Sequence, residues 1–185
     1  LNAVKEPFDQ INIMTYDMTG AGPGGVSWHN SAVYSGGTTF PSTGGPVPSA
    51  DGEVNDAVAA GIPAAKLGIG TDFYGYVWSG VTQPGQEWLS TPSVTDNVPY
   101  YQLMNTYGSY AQLWDEAADA AYISVASGSG KFVSLDNEQT MFAKAKYIND
   151  KGIGGLIIWE LGGGYRSNQP AGQRDKLLQA VEAAF

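Results

Sequence analysis

Cysteine is absent from the 185 residues, and His29 is the single histidine. The first absence excludes a disulfide framework and a thiolate metal site. The second leaves too few imidazoles for a histidine-based metal site, and His29 reads as a loop hydrogen-bonder. No run of ~18 apolar residues occurs, so no segment reads as a membrane-spanning helix. Positive charge is scarce, with 9 Lys and Arg against 18 Asp and Glu and a net charge of −9. Phosphate backbones are bound by clustered cations, so nucleic acid is excluded as a partner, and the balance suits a neutral ligand. No signal-type segment opens the chain. It starts at Leu1 almost directly in a strand and reads as a processed or partial polypeptide.

Hydrophobic content of 43% and charged content of 15% describe a folded domain with one sizeable core. Ile11 to Met18 reads as a strand running into a Gly-rich loop, residues 19–52 as long irregular chain, and Glu53 to Ala60 as a short helix closed by Gly61. Lys66 to Gly75 is a second strand, and 79–99 is loop-like. In 100–135, "YAQLWDEAADAAYISVA" is either a helix, on its Ala and Glu, or strands, on its aromatics. "KFVSL" reads as a strand. A helix follows from about Glu138 to Asn149, capped by Asp136 or Asn137. "GIGGLIIWEL" has the continuous apolar character of a buried parallel strand. A last helix spans about Gly172 to Ala184. The alternation predicts an α/β fold with parallel strands. Tyr16 with Asp17, Phe73 with Tyr74, and Trp159 with Glu160 mark the C-terminal end of each strand. That edge carries function in βα architectures.

Gly20, Gly22 and Gly25 satisfy G-x-G-x-x-G. The run does not open a helix, and the next acidic residue is Asp51, so a dinucleotide site is rejected and a flexible loop is expected.

The strand ends taken together resemble glycoside hydrolase family 18, the chitinase family. Met14, Thr15, Tyr16 and Asp17 match its Met-x-Tyr-Asp sixth barrel strand, and Ser27 to Asn30 its Ser-Trp-His-Asn loop. Lys66, Leu67, Gly70, Phe73, Tyr74, Gly75 and Trp78 match the seventh strand. Gly154 to Glu160 match the eighth, approached through "FVSLDNEQTMFAKAKYINDKGIGG". The resemblance implies a partial TIM (β/α)8 barrel: the last three βα units, filling residues 1–185, with an insertion at about 79–135. It implies retaining hydrolysis of β-1,4-linked N-acetylglucosamine, in which the substrate's own N-acetyl oxygen attacks. Tyr16 and Asp17 would then be catalytic, orienting that group. Met14, Trp28, Phe73, Tyr74, Trp78, Trp159 and Glu160 would bind chitin or chitooligosaccharide, with Trp159 as the floor under one sugar. The resemblance implies no metal, no cofactor and a secreted location. Each of these residues also has a plainer reading: Tyr-Asp as a loop anchor, the tryptophans as packing, Glu160 and Asp72 as structural carboxylates.

Two departures stand out. The family's D-x-x-D-x-D-x-E motif, which ends in the proton donor, is absent, and so are counterparts of strands one to five. Tyr76 stands where relatives often have Arg. A non-catalytic chitooligosaccharide-binding protein is therefore the alternative reading, and the missing N-terminal half of the barrel or a second copy of the chain is an expected partner. Open sheet edges are sticky. The isolated chain is thus expected to be insoluble or oligomeric by sedimentation, and a monodisperse stable monomer contradicts this.

Overall fold

A computed structural model of the chain describes residues 6–20, 25–88 and 92–185. Part of the Gly-rich run, including Gly22, lies outside the described residues. Three strands, β1 (Ile11–Asn12), β2 (Leu67–Asp72) and β8 (Gly155–Trp159), form a parallel sheet in the order β1-β2-β8. Five others form an antiparallel sheet: β3 (Tyr74–Ser79), β4 (Ser93–Pro99), β5 (Gln112–Asp115), β6 (Ala120–Val125) and β7 (Lys131–Leu135). Their order is β4-β3-β7-β6-β5. The helices are α1 (Ala50–Ala59), α2 (Tyr100–Tyr107), α3 (Glu138–Lys151), α4 (Leu161–Gly164) and α5 (Lys176–Ala184). The antiparallel sheet stands between β2 and α3 in the chain, and α3 leads back to β8 alongside β2.

The pattern of β2, Leu-Gly-Ile-Gly-Thr-Asp, explains its position. Leu67 and Ile69 are fully buried with Val54 and Ala57 of α1 and Ile148 of α3. Each such side chain contributes ~1.5–3 kcal/mol. The glycines leave the other face bare. A Cβ at Gly68 would lie 2.1 Å from Asn12 Oδ1, and one at Gly70 2.6 Å from the Tyr16 ring. The first strand's polar side chains therefore lie directly across β2. They also end its ladder early. The expected strand reached Met18, but the regular pairing stops at Asn12. Beyond it the Thr15 hydroxyl takes over, accepting from Gly70 N at 2.8 Å and donating to Gly70 O at 3.1 Å.

One further expectation is corrected, and one open alternative is decided. Residues 79–99, read as loop, close β3 and contain β4, so the antiparallel sheet already begins at Tyr74. In the ambiguous stretch, Gln112 to Val125 is a β5–β6 hairpin. The Asp115 carboxylate caps its turn by accepting from Ala117 N and Ala118 N at 3.1 and 3.3 Å. Cross-strand pairing and the burial of Ile123 and Val125 override the helix preference of the alanines. α3 starts where expected. Asn137 is its cap, accepting from Thr140 N at 3.1 Å while Thr140 Oγ1 accepts from Asn137 N at 2.8 Å. α5 starts later than expected, at Lys176, because Arg166 N bonds to Arg174 O at 2.7 Å and holds the preceding segment as a loop.

The other capping candidate, Asp136, turns inward to Lys144. Both are buried and form an ion pair. Lys144 Nζ also donates to Ser31 Oγ at 2.6 Å and to Gly70 O at 3.2 Å, and Thr71 Oγ1 donates to Asp136 at 2.6 Å. Removing one partner of such a pair strands the other charge. Lys144→Met is expected to cost ~3–5 kcal/mol in urea denaturation. Adding Asp136→Asn should recover more than half of that. A single-variant cost under ~1 kcal/mol would show that the pair is dispensable.

Candidate active site

Because β1, β2 and β8 are parallel, their C-terminal ends share one edge. Asp72 and Trp159 are register partners there, and Phe73 N donates to Trp159 O at 2.8 Å. Asp17 stands at the same edge, beyond β1. Its backbone is left-handed, φ 59°, and its N–H donates to Asn30 Oδ1 at 2.9 Å. Its side chain is exposed, yet one oxygen is doubly held. The Tyr74 and Tyr76 hydroxyls donate to Oδ1 at 2.5 and 2.9 Å. Tyr16 lies against Tyr74 edge to face, with 6.2 Å between ring centroids. Burial first, and the Asp17 carboxylate second, push the hydroxyls of all three tyrosines above their ordinary range. They are neutral donors across the physiological range.

Asn30 ties this front to the buried network. Its Nδ2 donates to Asp72 Oδ2 at 2.5 Å, and its N–H donates to Ser134 Oγ of β7 at 2.7 Å. Burial, then the charge of Asp136, push the Asp72 carboxyl well above the usual carboxylate range. Burial also works against ionisation of Asp136, but the Lys144 ammonium prevails and holds that carboxyl below its usual range. Within the pair, the surroundings favour the neutral form at Asp72 and the carboxylate at Asp136.

Trp159 is 56% exposed and Met14 69%, so both present their side chains to solvent at the open edge. The peptide between Trp159 and Glu160 is cis, and Glu160 is exposed at the start of α4. A hollow of about 110 Å³ lies here, lined by Tyr74, Asn97, Pro99, Trp159 and Glu160 with Phe73 behind. A second hollow, of about 210 Å³, is lined by Asp17, Met18, Thr19, Trp28 and Phe40. Tyr74 of the first hollow donates to Asp17 of the second.

The other aromatic candidates lie deeper. Phe73 and Trp78 are fully buried and Trp28 is 2% exposed. Trp28 donates its ring N–H to Pro48 O at 2.8 Å, Trp78 packs on Trp88, and Phe73 packs under α2 and α5. None of the three presents a ring face to solvent. His29 is buried among Trp28, Tyr122 and Phe132, and its Nε2 lies 3.0 Å from Asp115 Oδ2. Burial lowers its pKa against the opposing pull of Asp115. In the sequence, Asn30 stands out only within a loop motif, Asn97 and Pro99 carry no signal, and Tyr76 is only a departure from the family pattern.

The sequence model of the Glycosyl hydrolases family 18 matches residues 1–164. The chain belongs to glycosyl hydrolase family 18. It is 34% identical over 188 residues to chitinase A1 of Niallia circulans, an alignment covering 92% of this chain and 25% of that protein. A solved family 18 N-acetylglucosaminidase from Paenibacillus barengoltzii superposes with a TM-score of 0.74 at 25% identity, over 98% of this chain and 50% of that one. Human YKL-39, described as a pseudo-chitinase with retained chitooligosaccharide binding properties, superposes with a TM-score of 0.78. Its identity of 20%, over 98% of this chain and 51% of that one, speaks for the fold alone. The chain thus spans a quarter of the length of the named chitinase and about half of each solved structure. Among the described residues, no helix is long and apolar enough to cross a membrane.

Within this family 18 chain, the neutral state of Asp72 has a measurable sign. Its folded pKa lies above the unfolded value of ~3.9. Folding therefore takes up a proton, and this stability is full below pH ~4 and lost as pH rises toward the folded value. Asp72→Asn keeps the shape without the titration. It is expected to raise Tm at pH 8 by at least ~3 °C while changing it little at pH 4. Equal shifts at both pH values would overturn the assignment.

Proposed function

We propose that this chain is the C-terminal portion of a chitinase-type catalytic barrel, its last three βα units interrupted by the antiparallel insertion. The intact enzyme hydrolyses β-1,4 bonds of chitin or chitooligosaccharides with retention, outside the cell. The observation that carries the reading is the strand-end constellation: Tyr16 and a rigidly held Asp17 beside an exposed Trp159 that lines a small hollow. Trp159 offers an apolar ring face for the C–H face of a pyranose. Tyr16 is a neutral hydroxyl donor suited to an N-acetyl carbonyl. In substrate-assisted hydrolysis that carbonyl oxygen attacks the anomeric carbon, so a donor that orients it and a carboxylate that stabilises the positive charge developing on the ring are what the chemistry needs. Met14 borders the same open edge, and Glu160 closes the hollow beside Trp159.

Protonation of the leaving group needs an acid with a raised pKa on the glycosidic oxygen. Asp72, the carboxyl whose pKa burial raises, is fully buried behind Asn30 and does not reach the open edge. The proton donor therefore belongs to a partner that pairs along β1 and β8, each of which keeps one edge without a strand partner among the described residues. A complementary set of βα units fits both edges better than a second copy does, because closure needs strands on two sides at once.

The departures in the sequence, the missing D-x-x-D-x-D-x-E motif above all, support a second reading, a binding protein without turnover. One experiment separates the two. The purified chain is expected to bind tetra-N-acetylchitotetraose and to leave a fluorogenic chitobioside uncleaved. Trp159→Ala should weaken binding at least ~5-fold, since a stacked aromatic contributes about 1–3 kcal/mol. Turnover that appears on adding a polypeptide carrying the complementary half supports the enzyme, and binding with no turnover in its presence supports the binding protein. Turnover by the chain alone would overturn the view that the acid lies elsewhere.

A further inference from the structure

We infer that Asn97 of β4 is a specificity-determining residue: together with Glu160 it holds a hydroxyl of the sugar that stacks on Trp159. The inference rests on the sugar-binding reading above and adds a contact that none of the strand-end motifs marks. Its first support is a bulge. Gly75 of β3 pairs with Val98 of β4 and Val77 with Thr95, so Asp96 and Asn97 together stand opposite Tyr76. Such a bulge re-aims a side chain beside a site. Asn97 also has a left-handed backbone, φ 51°. Glycine takes that conformation without steric cost and asparagine does not. Asparagine usually offsets the cost with a hydrogen bond to nearby chain. Among the described residues, the Asn97 side chain has no hydrogen-bond partner. It is exposed instead, and it lines the hollow of about 110 Å³ beside Trp159.

The other polar groups of the hollow narrow what Asn97 can hold. The Tyr74 hydroxyl is committed to Asp17. Phe73 N–H donates to Trp159 O, Phe73 O accepts from Tyr100 N, and Gly163 N–H donates to Glu160 O. The side-chain groups that remain are the Asn97 carboxamide, the Glu160 carboxyl and the Trp159 ring N–H. A pyranose stacked on Trp159 turns its C–H face to the indole and its equatorial substituents outward to the rim. There the Glu160 carboxylate only accepts, while the Asn97 carboxamide both donates and accepts. A hydroxyl serves both, donating to one and accepting from the other. An N-acetyl carbonyl only accepts and gains nothing from Glu160. Its donor in the proposed reaction is Tyr16, at the end of the other strand, so the two contacts read different groups of the ligand.

The test titrates tetra-N-acetylchitotetraose calorimetrically into the full chain and two variants, with Tm measured for each. Asn97→Gly removes the carboxamide and relieves the backbone. Its Tm is expected within ~2 °C of the parent or above it. Its binding is expected to weaken at least ~3-fold, the worth of one neutral hydrogen bond. Asn97→Asp tolerates the same backbone and keeps an acceptor to which a hydroxyl turns and donates. It should bind at least ~2-fold tighter than Asn97→Gly. Unchanged binding in Asn97→Gly overturns the inference. So does lost affinity that comes with a Tm lower by more than ~5 °C, because the asparagine would then be serving the fold. An Asn97→Asp as weak as Asn97→Gly overturns the hydroxyl, since a carbonyl would be repelled. In each of these cases the parent still binds the tetramer, and the function proposed above stands without the inference. If the parent does not bind it, both fall together.

Discussion

The buried pair of Lys144 and Asp136 holds the parts of this chain in their relative positions. Lys144 comes from the middle of α3 and Asp136 from the end of β7. The groups around them come from β2 and from the long loop after β1. An isolated ammonium or carboxylate in such a place would be prohibitively costly, so each needs the other and the remaining hydrogen-bond partners in place. That requirement is geometric. The parallel sheet, the antiparallel sheet, the helix between them and the Ser31 loop satisfy it in one arrangement.

From this pair a line of hydrogen bonds runs to the open edge. Asp136 accepts from Asp72 N at 3.3 Å, Asp72 accepts from Asn30, and Asn30 accepts from the N–H of Asp17. The exposed carboxylate of the site is thus anchored to the interior through its backbone, and through its side chain to two tyrosines of β3. An exposed aspartate ordinarily samples several rotamers. Here the ordering has been done during folding, which lowers what a ligand must supply on binding.

The sequence shows some of this clearly and some not at all. The end of β8 was legible because Trp159–Glu160 interrupts an apolar run, whereas the end of β1 was not: its regular pairing stops at Asn12, short of the polar Tyr16–Asp17 that marks the edge. α3 was legible because Asn137 and Gly152 punctuate it. The β5–β6 hairpin was not, because its alanines favour helix locally and only pairing with β7 decides the matter. β4 was hidden in a stretch of Ser, Thr, Asp and Asn, a composition that reads as loop when its partner strand is unknown. The aromatics divide by depth: nothing local distinguishes Trp159 at the surface from Trp28 and Trp78 inside, since each depends on what distant segment covers it. The pairing of Asp136 with Lys144 rather than with the helix it precedes is likewise a tertiary choice between two adjacent capping candidates.

A single residue, Phe73, separates β2 from β3. Its N–H reaches Trp159 O, its carbonyl accepts from Tyr100 N at 2.9 Å, and Gly163 leaves no room for a Cβ against it. The two sheets therefore meet at a joint with no slack: there is no spacer to act as a hinge, and both backbone groups of the connecting residue are occupied. The wall of the hollow, carried by β3 and β4, cannot open independently of the floor, carried by β2 and β8. The hollow therefore keeps the outline that the joint at Phe73 sets, and any molecule that entered it would have to bring a matching shape.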